Sequence, residues 1–414
     1  MRLLIHDYGA YAFSVQLSRE LARRNHTVTH AFAGGLTATP RGALARRTED
    51  PASFSVREIA LPSDYRRHKY SFLRRRRYET AYGHALASLT SRLEPSLILS
   101  GNTPTEPQWL LIKAARQQAV PVVTWVQDFY GLAVDRLARK KLPILGAMAG
   151  WWYRHLDALC YQQSAHIITI TPDFLPVLGG LGVAPERITN IPNWAPLDEL
   201  PERMRPNSWS TSHGLDHVFV FLYSGTLGMK HNPGLLVQLA LRFREDPLVR
   251  VVVISEGPGA DYLRERKKIQ HLPNLLILPP QSYQEIPDVF AAADVLIAIL
   301  EEDAGAFSVP SKVLSYHCAG RALLAAIPDN NLAARIIREA NSGLCLPPGD
   351  LGGFLDAADS LRKNDSNRLG MASRARAYAT REFDIKRIAD RFEEVFQKVV
   401  GVSSTSVNGN GRHN

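Results

Sequence analysis

The stretch that most constrains this chain is residues 218–244, VFVFLYSGTLGMKHNPGLLVQLALRFR. Val218 to Tyr223 is a run of apolar and β-branched residues, the pattern of a strand buried on both faces. Ser224-Gly225-Thr226-Leu227-Gly228 breaks it, and its two glycines permit a tight turn and close approach of another group to the backbone. Lys230 follows. Asn232 is a helix-capping residue, Pro233 suits a first helical position, and Leu235, Leu236, Leu239, Ala240 and Phe243 recur at helical spacing. Strand, glycine turn, cation and capped helix can together hold a phosphate: free amides and a positive helix end point at the anion, and Lys230 adds a full charge. The same stretch fits an ordinary strand-to-helix turn of an α/β protein. It is neither a Gly-x4-Gly-Lys-Ser/Thr loop nor a Gly-x-Gly-x-x-Gly dinucleotide fingerprint, so the rest of the chain must decide.

The alternation seen there runs through the whole sequence. In the first half, residues 3–5, 27–32, 97–100, 122–126 and 166–170 read as strands, with helices at 14–24, 77–92, 108–117 and 150–163. Residues 34–57 read mostly as loop. In the second half, strands fall at 218–223, 249–255, 275–278, 295–299, 322–326 and 343–346, with helices between them. Strand–helix–strand units of this size imply parallel sheets with right-handed crossovers. A chain of 414 residues is too long for one ordinary core. Residues 195–216, rich in Pro, Ser and charge and without an apolar period, read as a linker. The expected architecture is α/β. Two Rossmann-like, doubly wound domains at 1–195 and 217–383 are joined by 196–216 and face a deep cleft. A helix at 384–400 packs back toward the first domain, and 401–414 is a disordered tail. Open α/β sheets bind ligands outside the carboxyl ends of their strands, which makes the cleft the expected site.

Composition narrows the class. With 45% hydrophobic and 21% charged residues the chain has an ordinary soluble composition. Cys160, Cys318 and Cys345 form no CxxC pair, which argues against a disulfide framework or a zinc site and fits a reducing cytoplasm. No run reaches the roughly 18 apolar residues of a spanning helix, and Met1-Arg2-Leu3-Leu4-Ile5 meets His6 and Asp7 at once, unlike a signal peptide. The net charge of +9 is uneven: residues 1–80 hold 15 Arg/Lys against 7 Asp/Glu. The densest part is 66–77, RRHKYSFLRRRR, where Tyr70 and Phe72 interleave with basic residues. It fits an anionic membrane surface or a solvated basic loop, and no nucleic-acid-binding module accompanies it. Residues 142–153, LPILGAMAGWWY, follow Arg139-Lys140-Lys141 and read either as an interfacial segment or as a partly buried helix start.

Three further stretches carry a resemblance: 251–259 (VVVISEGPG), 275–299 (LLILPPQSYQEIPDVFAAADVLIAI) and 308–325 (SVPSKVLSYHCAGRALLA). In this order and spacing they resemble the carboxyl-terminal halves of retaining glycosyltransferases of the GT-B fold, the large bacterial family that uses nucleotide-sugar donors. SGTLGMKH, SVPSK and GDL are most similar to the WbuB/WcaI-like colanic-acid and O-antigen biosynthesis glycosyltransferases. The likeness is strong from 218 to 350 and weaker in the first half, where IPNW and the 166–171 strand carry it. It implies a nucleotide diphosphate sugar, UDP-sugar by family majority, as donor substrate, with no cofactor required. Gly225, Thr226 and Lys230 would hold the diphosphate. Lys312 would be a second cation, in a donor-rich loop with Ser308, Val309 and Ser311. Pro279, Gln281 and Tyr283 stand where the family binds the nucleobase through backbone groups, and Glu256 stands in the loop facing the cleft. In the first domain, Gly9 and Ala10 stand where relatives admit acceptor and donor phosphate. Asp128 would accept or orient the acceptor's proton.

The chain has no Asp-x-Asp motif, which favours the two lysines over a metal ion for the charge of the leaving group. It also departs from its relatives, which usually carry Glu-x7-Glu near this loop. Phe307 and Ser315 stand there, with Glu301, Glu302 and Asp303 just upstream. Ser315 offers the donor ribose a hydroxyl in place of a carboxylate. The resemblance further implies a lipid-linked saccharide acceptor in surface-polysaccharide biosynthesis. It fits a cytoplasmic protein touching the anionic inner face of the plasma membrane through 66–77, with no nucleic acid and no obligate protein partner. Two other readings share the fold, a non-hydrolysing sugar-nucleotide 2-epimerase and a catalytically silent sugar-nucleotide-binding scaffold.

Overall fold

A parallel strand is covered by helices on both faces, so its side chains are apolar in succession rather than alternately. The computed structural model describes residues 1–36, 42–68, 71–141, 143–228, 231–302 and 311–408, and it gathers such runs into two parallel sheets. One compact unit comprises Met1–Asn193 together with the terminal helix Ile385–Asn408, and the other comprises Trp194–Asp384.

The first unit holds β1 (Arg2–Asp7), β2 (Thr27–Gly34), β3 (Phe54–Ala60), β4 (Leu97–Gly101), β5 (Val122–Val126), β6 (His166–Thr169) and β7 (Ile188–Asn190), ordered β3-β2-β1-β4-β5-β6-β7. The second holds β8 (Phe219–Ser224), β9 (Val249–Ile254), β10 (Leu275–Leu278), β11 (Val295–Ile299), β12 (Ala322–Ala326) and β13 (Gly343–Leu346), ordered β10-β9-β8-β11-β12-β13. Both are doubly wound. The order reverses between β1 and β4 and between β8 and β11, and the carboxyl ends of those strands are where such sheets open a ligand crevice. Phe221, Tyr223, Leu236, Val251, Ile297 and Leu324 lie in the second core.

The structure departs from the sequence pattern in six places. β3 lies where 34–57 reads as loop. It is an edge strand with Phe54 buried and Arg57 and Glu58 exposed, and such charges blunt an unpaired edge while erasing the apolar run. β7 is three residues long and carries no pattern of its own. The helix Tyr130–Lys141 is followed at once by the helix Pro143–Gln163, which begins before the expected 150. A Cβ on Gly146 would fall 2.2 Å from the carbonyl oxygen of Ala138, so the two helices meet at backbone distance. The helix Phe72–Leu93 begins five residues before the expected 77, so the Arg74–Arg77 run is helical. Arginine is a good helix former, and Arg75 Nε donates to Glu79 Oε1 at 2.7 Å across one turn.

Residues 196–216 are no free tether: Trp194, Leu200, Trp209 and Leu215 are buried in the second unit, and Arg205 forks onto Asp294 at 2.9 and 3.1 Å. Anchors that come singly leave no period to read. The last helix runs over Ile385–Asn408, so 401–408 is helical rather than a disordered tail; Gly401 does not take the positive φ that would cap it. No helix among the described residues is long and apolar enough to cross a membrane.

Candidate functional site

β8 stops at Ser224 because a tyrosine from another element holds it there. The Tyr316 hydroxyl, on the helix Lys312–Cys318, donates to the Ser224 carbonyl at 3.2 Å and accepts from the Ser224 amide at 3.1 Å. The chain then turns through Gly225 at φ +129°, a conformation other residues rarely adopt. Gly225 N donates to the Ile254 carbonyl at 2.9 Å, Leu227 N to Ser255 Oγ at 3.2 Å, and Gly228 N to His231 Nδ1 at 3.2 Å. The Thr226 amide has no acceptor among the described residues.

Lys312 reaches the same turn. A Cβ on Gly225 would lie 3.2 Å from its Nζ. The nitrogen sits 3.6 Å from the centroid of the Tyr223 ring, a cation–π contact, and it is buried with no hydrogen-bond partner among the described residues. Burial lowers its pKa to about 7. A buried ammonium without a counter-charge is costly, and an arriving anion removes that cost. At the switch point of the second sheet stand exposed Gly225 and Thr226, with an amide and an ammonium that nothing among the described residues answers. Chemically such an arrangement can seat an anion of phosphate character.

The other second-unit residues singled out by sequence fall variously. Lys230, Ser308 and Val309 lie outside the described residues. Ser311 is exposed just ahead of Lys312, and half-buried Ser315 lies one turn further on, its amide donating to the Ser311 carbonyl at 3.4 Å. Glu256 is exposed in the turn after β9. The side chains of Gln281 and Tyr283 are committed to the protein. Gln281 accepts from Trp209 Nε1 at 2.9 Å and donates to the Pro279 carbonyl at 2.7 Å, and Tyr283 OH donates to Glu199 at 2.8 Å. They fasten the 194–215 segment. Sequence reasoning missed Tyr223, Tyr316 and Ser255, which build the turn. The signal for Tyr223 was a hydroxyl-bearing residue closing an otherwise apolar run.

In the first unit the turn after β1 answers to Asp7. Its carboxylate accepts from Gly9 N at 3.0 Å, Tyr11 N at 2.7 Å, Ser14 Oγ at 2.5 Å and Asn102 Nδ2 at 2.9 Å. Burial pulls the Asp7 pKa up, against these four hydrogen bonds, which hold it down. Tyr8 N donates to the Gly101 carbonyl and Ala10 N to the Asp7 carbonyl, both at 3.2 Å. The Gly9 amide is therefore spent inside the turn. His6 is buried between Ser100 Oγ at 3.1 Å and Tyr82 OH at 2.8 Å, and burial lowers its pKa to about 3, so it is neutral and structural. Asp128 is exposed just past β5 and lines a polar cavity of about 70 Å³ with Thr103, Gln108, Tyr130 and Asp157. Asp157 accepts from Thr105 Oγ1 and Gly131 N, both at 2.7 Å, and burial raises its pKa to about 6.

Known proteins agree with this architecture. The glycosyl transferase 4-like domain family matches residues 9–194, and the glycosyl transferases group 1 family matches residues 218–364. A protein of Escherichia coli (strain K12), assigned as the colanic acid biosynthesis glycosyl transferase WcaI, is 25% identical over 142 residues. That match takes in 34% of this chain and 35% of the relative, so the chain spans about a third of the curated relative it matches. Among solved structures, Anabaena HepE in complex with UDP and glucose superposes with a TM-score of 0.68 at 14% identity, over 96% of this chain and 100% of that one. WaaG, a glycosyltransferase involved in lipopolysaccharide biosynthesis, gives 0.65 at 14% identity over 95% and 99%. An E. coli trehalose-6-phosphate protein bound with UDP-2-fluoro glucose gives 0.68 at 12% over 97% and 99%. Each of the two doubly wound units is thus matched by a glycosyltransferase domain family, and the chain has the GT-B fold.

Proposed function

We propose that this protein is a retaining, metal-independent hexosyltransferase that moves a sugar from a nucleotide diphosphate sugar, UDP-sugar in the first instance, to a lipid-linked or growing saccharide in surface-polysaccharide biosynthesis. The observation that carries the reading is the buried Lys312 ammonium, without a hydrogen-bond partner among the described residues, held against the Gly225 turn. A diphosphate needs a counter-charge at the moment it departs, and a dry cation supplies it without reorganisation. UDP in HepE and the UDP-2-fluoro glucose of the E. coli structure support the nucleotide. WcaI and WaaG support the pathway class. In this reading Lys312 and Lys230 stabilise the leaving group, the Thr226 amide holds a phosphate oxygen, Ser311 and Ser315 with Ser308 and Val309 line the donor, and Glu256 faces the sugar. Backbone groups at 279–283 hold the base. Asp128 orients the acceptor hydroxyl, whose front-face attack is assisted by the donor's own phosphate. The protein supplies alignment and charge rather than a covalent nucleophile. The acceptor lipid would be met at an anionic membrane surface through 66–77.

Thermal-shift measurement against UDP-, GDP- and dTDP-sugars, followed by transfer assays on a lipid-diphosphate saccharide, tests the reading. The expected result is stabilisation by one nucleotide class and transfer with retention at the anomeric carbon. Epimerised donor without transfer, or binding without turnover on every acceptor, would replace it with one of the two rival readings.

A further inference from the structure

The helix Pro143–Gln163 is apolar on the wrong side. Its inward face carries Gly146, Gly150, Tyr153, Leu156 and Cys160, all buried. Its outward face carries Ile144, Leu145, Met148, Trp151 and Trp152, also at helical spacing and between 46 and 80% exposed. The close approach at Gly146 and at Gly150, where a Cβ would fall 1.8 Å from Asp135 Oδ1, seats the helix against Tyr130–Lys141 and fixes which way that second stripe faces. Phe72 and Leu73, also exposed, open the helix Phe72–Leu93. The Phe72 ring packs edge-on to Tyr153 at 5.9 Å, and Arg76 and the Tyr153 hydroxyl both bond Glu106, so the two segments are held side by side. An exposed apolar stripe of five large side chains on one helix, with two more exposed on a helix that touches it, marks an interaction surface.

Charge selects the occupant. Residues 65–78 and 136–156 contain 12 Arg and Lys and no Asp or Glu. Arg66, Arg67, Arg74, Arg77 and Lys140 are exposed, and no carboxylate lies within ion-pair distance of them among the described residues. A second copy would bring the same excess of positive charge against itself. An anionic bilayer complements it, and paired tryptophans beside a basic rim are suited to the headgroup–acyl boundary.

We infer that the outward face of Pro143–Gln163, with Phe72 and Leu73, inserts into the interfacial region of a bilayer carrying anionic lipid, while the arginines of 66–77 lie on its headgroups. This rests on the proposed membrane contact of 66–77 and deepens it: the basic stretch attracts, and the 144–152 stripe anchors.

The test uses the full chain with vesicles of phosphatidylcholine alone or mixed with phosphatidylglycerol. The wild type is expected to cosediment with the mixed vesicles and weakly or not at all with the neutral ones. The variant Ile144→Ser/Leu145→Ser/Met148→Ser, altered only at exposed positions, is expected to lose at least about tenfold in partitioning while keeping its melting temperature and its response to UDP. Brominated lipid should quench the wild type's tryptophan fluorescence and should cease to do so in Trp151→Phe/Trp152→Phe. Unchanged partitioning of the serine variant overturns the inference, as does unchanged quenching in the phenylalanine variant. Self-association that the serine variant abolishes, with no vesicle binding by the wild type, would assign the face to a second copy instead. A wild type that binds vesicles but transfers no sugar would sink the proposed reaction and leave this surface standing.

Discussion

Lys312 holds its buried nitrogen without a hydrogen-bond partner among the described residues. The Tyr223 ring offers a cation–π contact worth about 1–2 kcal/mol, against a desolvation cost of several. Its folded-state pKa of about 7 therefore lies below the ordinary 10.5. The sign of the consequence follows: between pH 7 and 10.5 the unfolded chain binds a proton that the folded one does not, so stability from this group rises with pH across that window. Lys312→Met should raise the melting temperature of the nucleotide-free protein at pH 7 by the equivalent of about 1 kcal/mol, and the gap should close toward pH 10.5. The same change should weaken UDP binding by about a hundredfold, because it removes a charge-assisted contact from a dry site. In the wild type an arriving diphosphate pulls the lysine pKa back up, so binding takes up a proton above pH 7 and affinity falls as pH climbs from there. Calorimetric titration in buffers of different ionisation enthalpy measures that proton. A pH-independent affinity, or a Lys312→Met protein that binds UDP normally, would remove Lys312 from the site.

A turn is an element too, and the one at 224–228 is shaped from below. The helix Pro258–Ile269 starts under it, and a Cβ on Gly259 would stand 2.6 Å from the Leu227 carbonyl oxygen. Gly259→Ala must therefore lift the turn without touching any ligand. The expected outcome is a loss of UDP affinity of about tenfold with a stability cost of about 1–2 kcal/mol, read by titration and thermal melting; an unaltered affinity would mean that the turn does not hold the nucleotide. The glycine turns themselves are legible in sequence, because Gly225 and Gly257-Pro258-Gly259 announce a bend after an apolar run. Central strands such as β11 and β12 are legible for the same reason, since burial on both faces leaves them no polar residue. What local pattern cannot carry is convergence. Nothing near residue 312 says that its ammonium will lie over a tyrosine ring at 223, and nothing near Gly9 says that Asp7 will consume its amide. Edges are illegible for the opposite reason: β3 carries Arg57 and Glu58 because it is an edge, and so it looks like loop.

At the scale of the whole chain, the first unit is not finished when its 193 consecutive residues are made. It lacks the helix Ile385–Asn408, which lies 191 residues further on, beyond the whole of the second unit. That helix covers Ala12–Arg23: Arg24 donates to Asp390 at 2.6 Å and to Glu393 at 2.5 Å, and His26 lies 2.8 Å from Glu393. Phe392 is fully buried and meets the Trp125 ring edge-on with centroids 5.0 Å apart, at the end of β5. The surface ion pairs add little each, so the buried face of the helix, with Phe392, Phe396 and Ala389 fully buried, carries the attachment. Truncating Phe392 should leave a cavity costing about 3–5 kcal/mol. Because the two units have separate cores, the loss should be local. Phe392→Ala is expected to speed amide exchange in β1, β5 and Ala12–Arg23 and to leave β8, β9, β11 and β12 as protected as before. The Lys312 turn belongs to the second unit, so the stabilisation of 224–228 and 311–318 by UDP should survive the substitution. Faster exchange spread equally over both sheets would show that the terminal helix supports the molecule as one cooperative body, and exchange unchanged everywhere would show that it is not part of the first core at all.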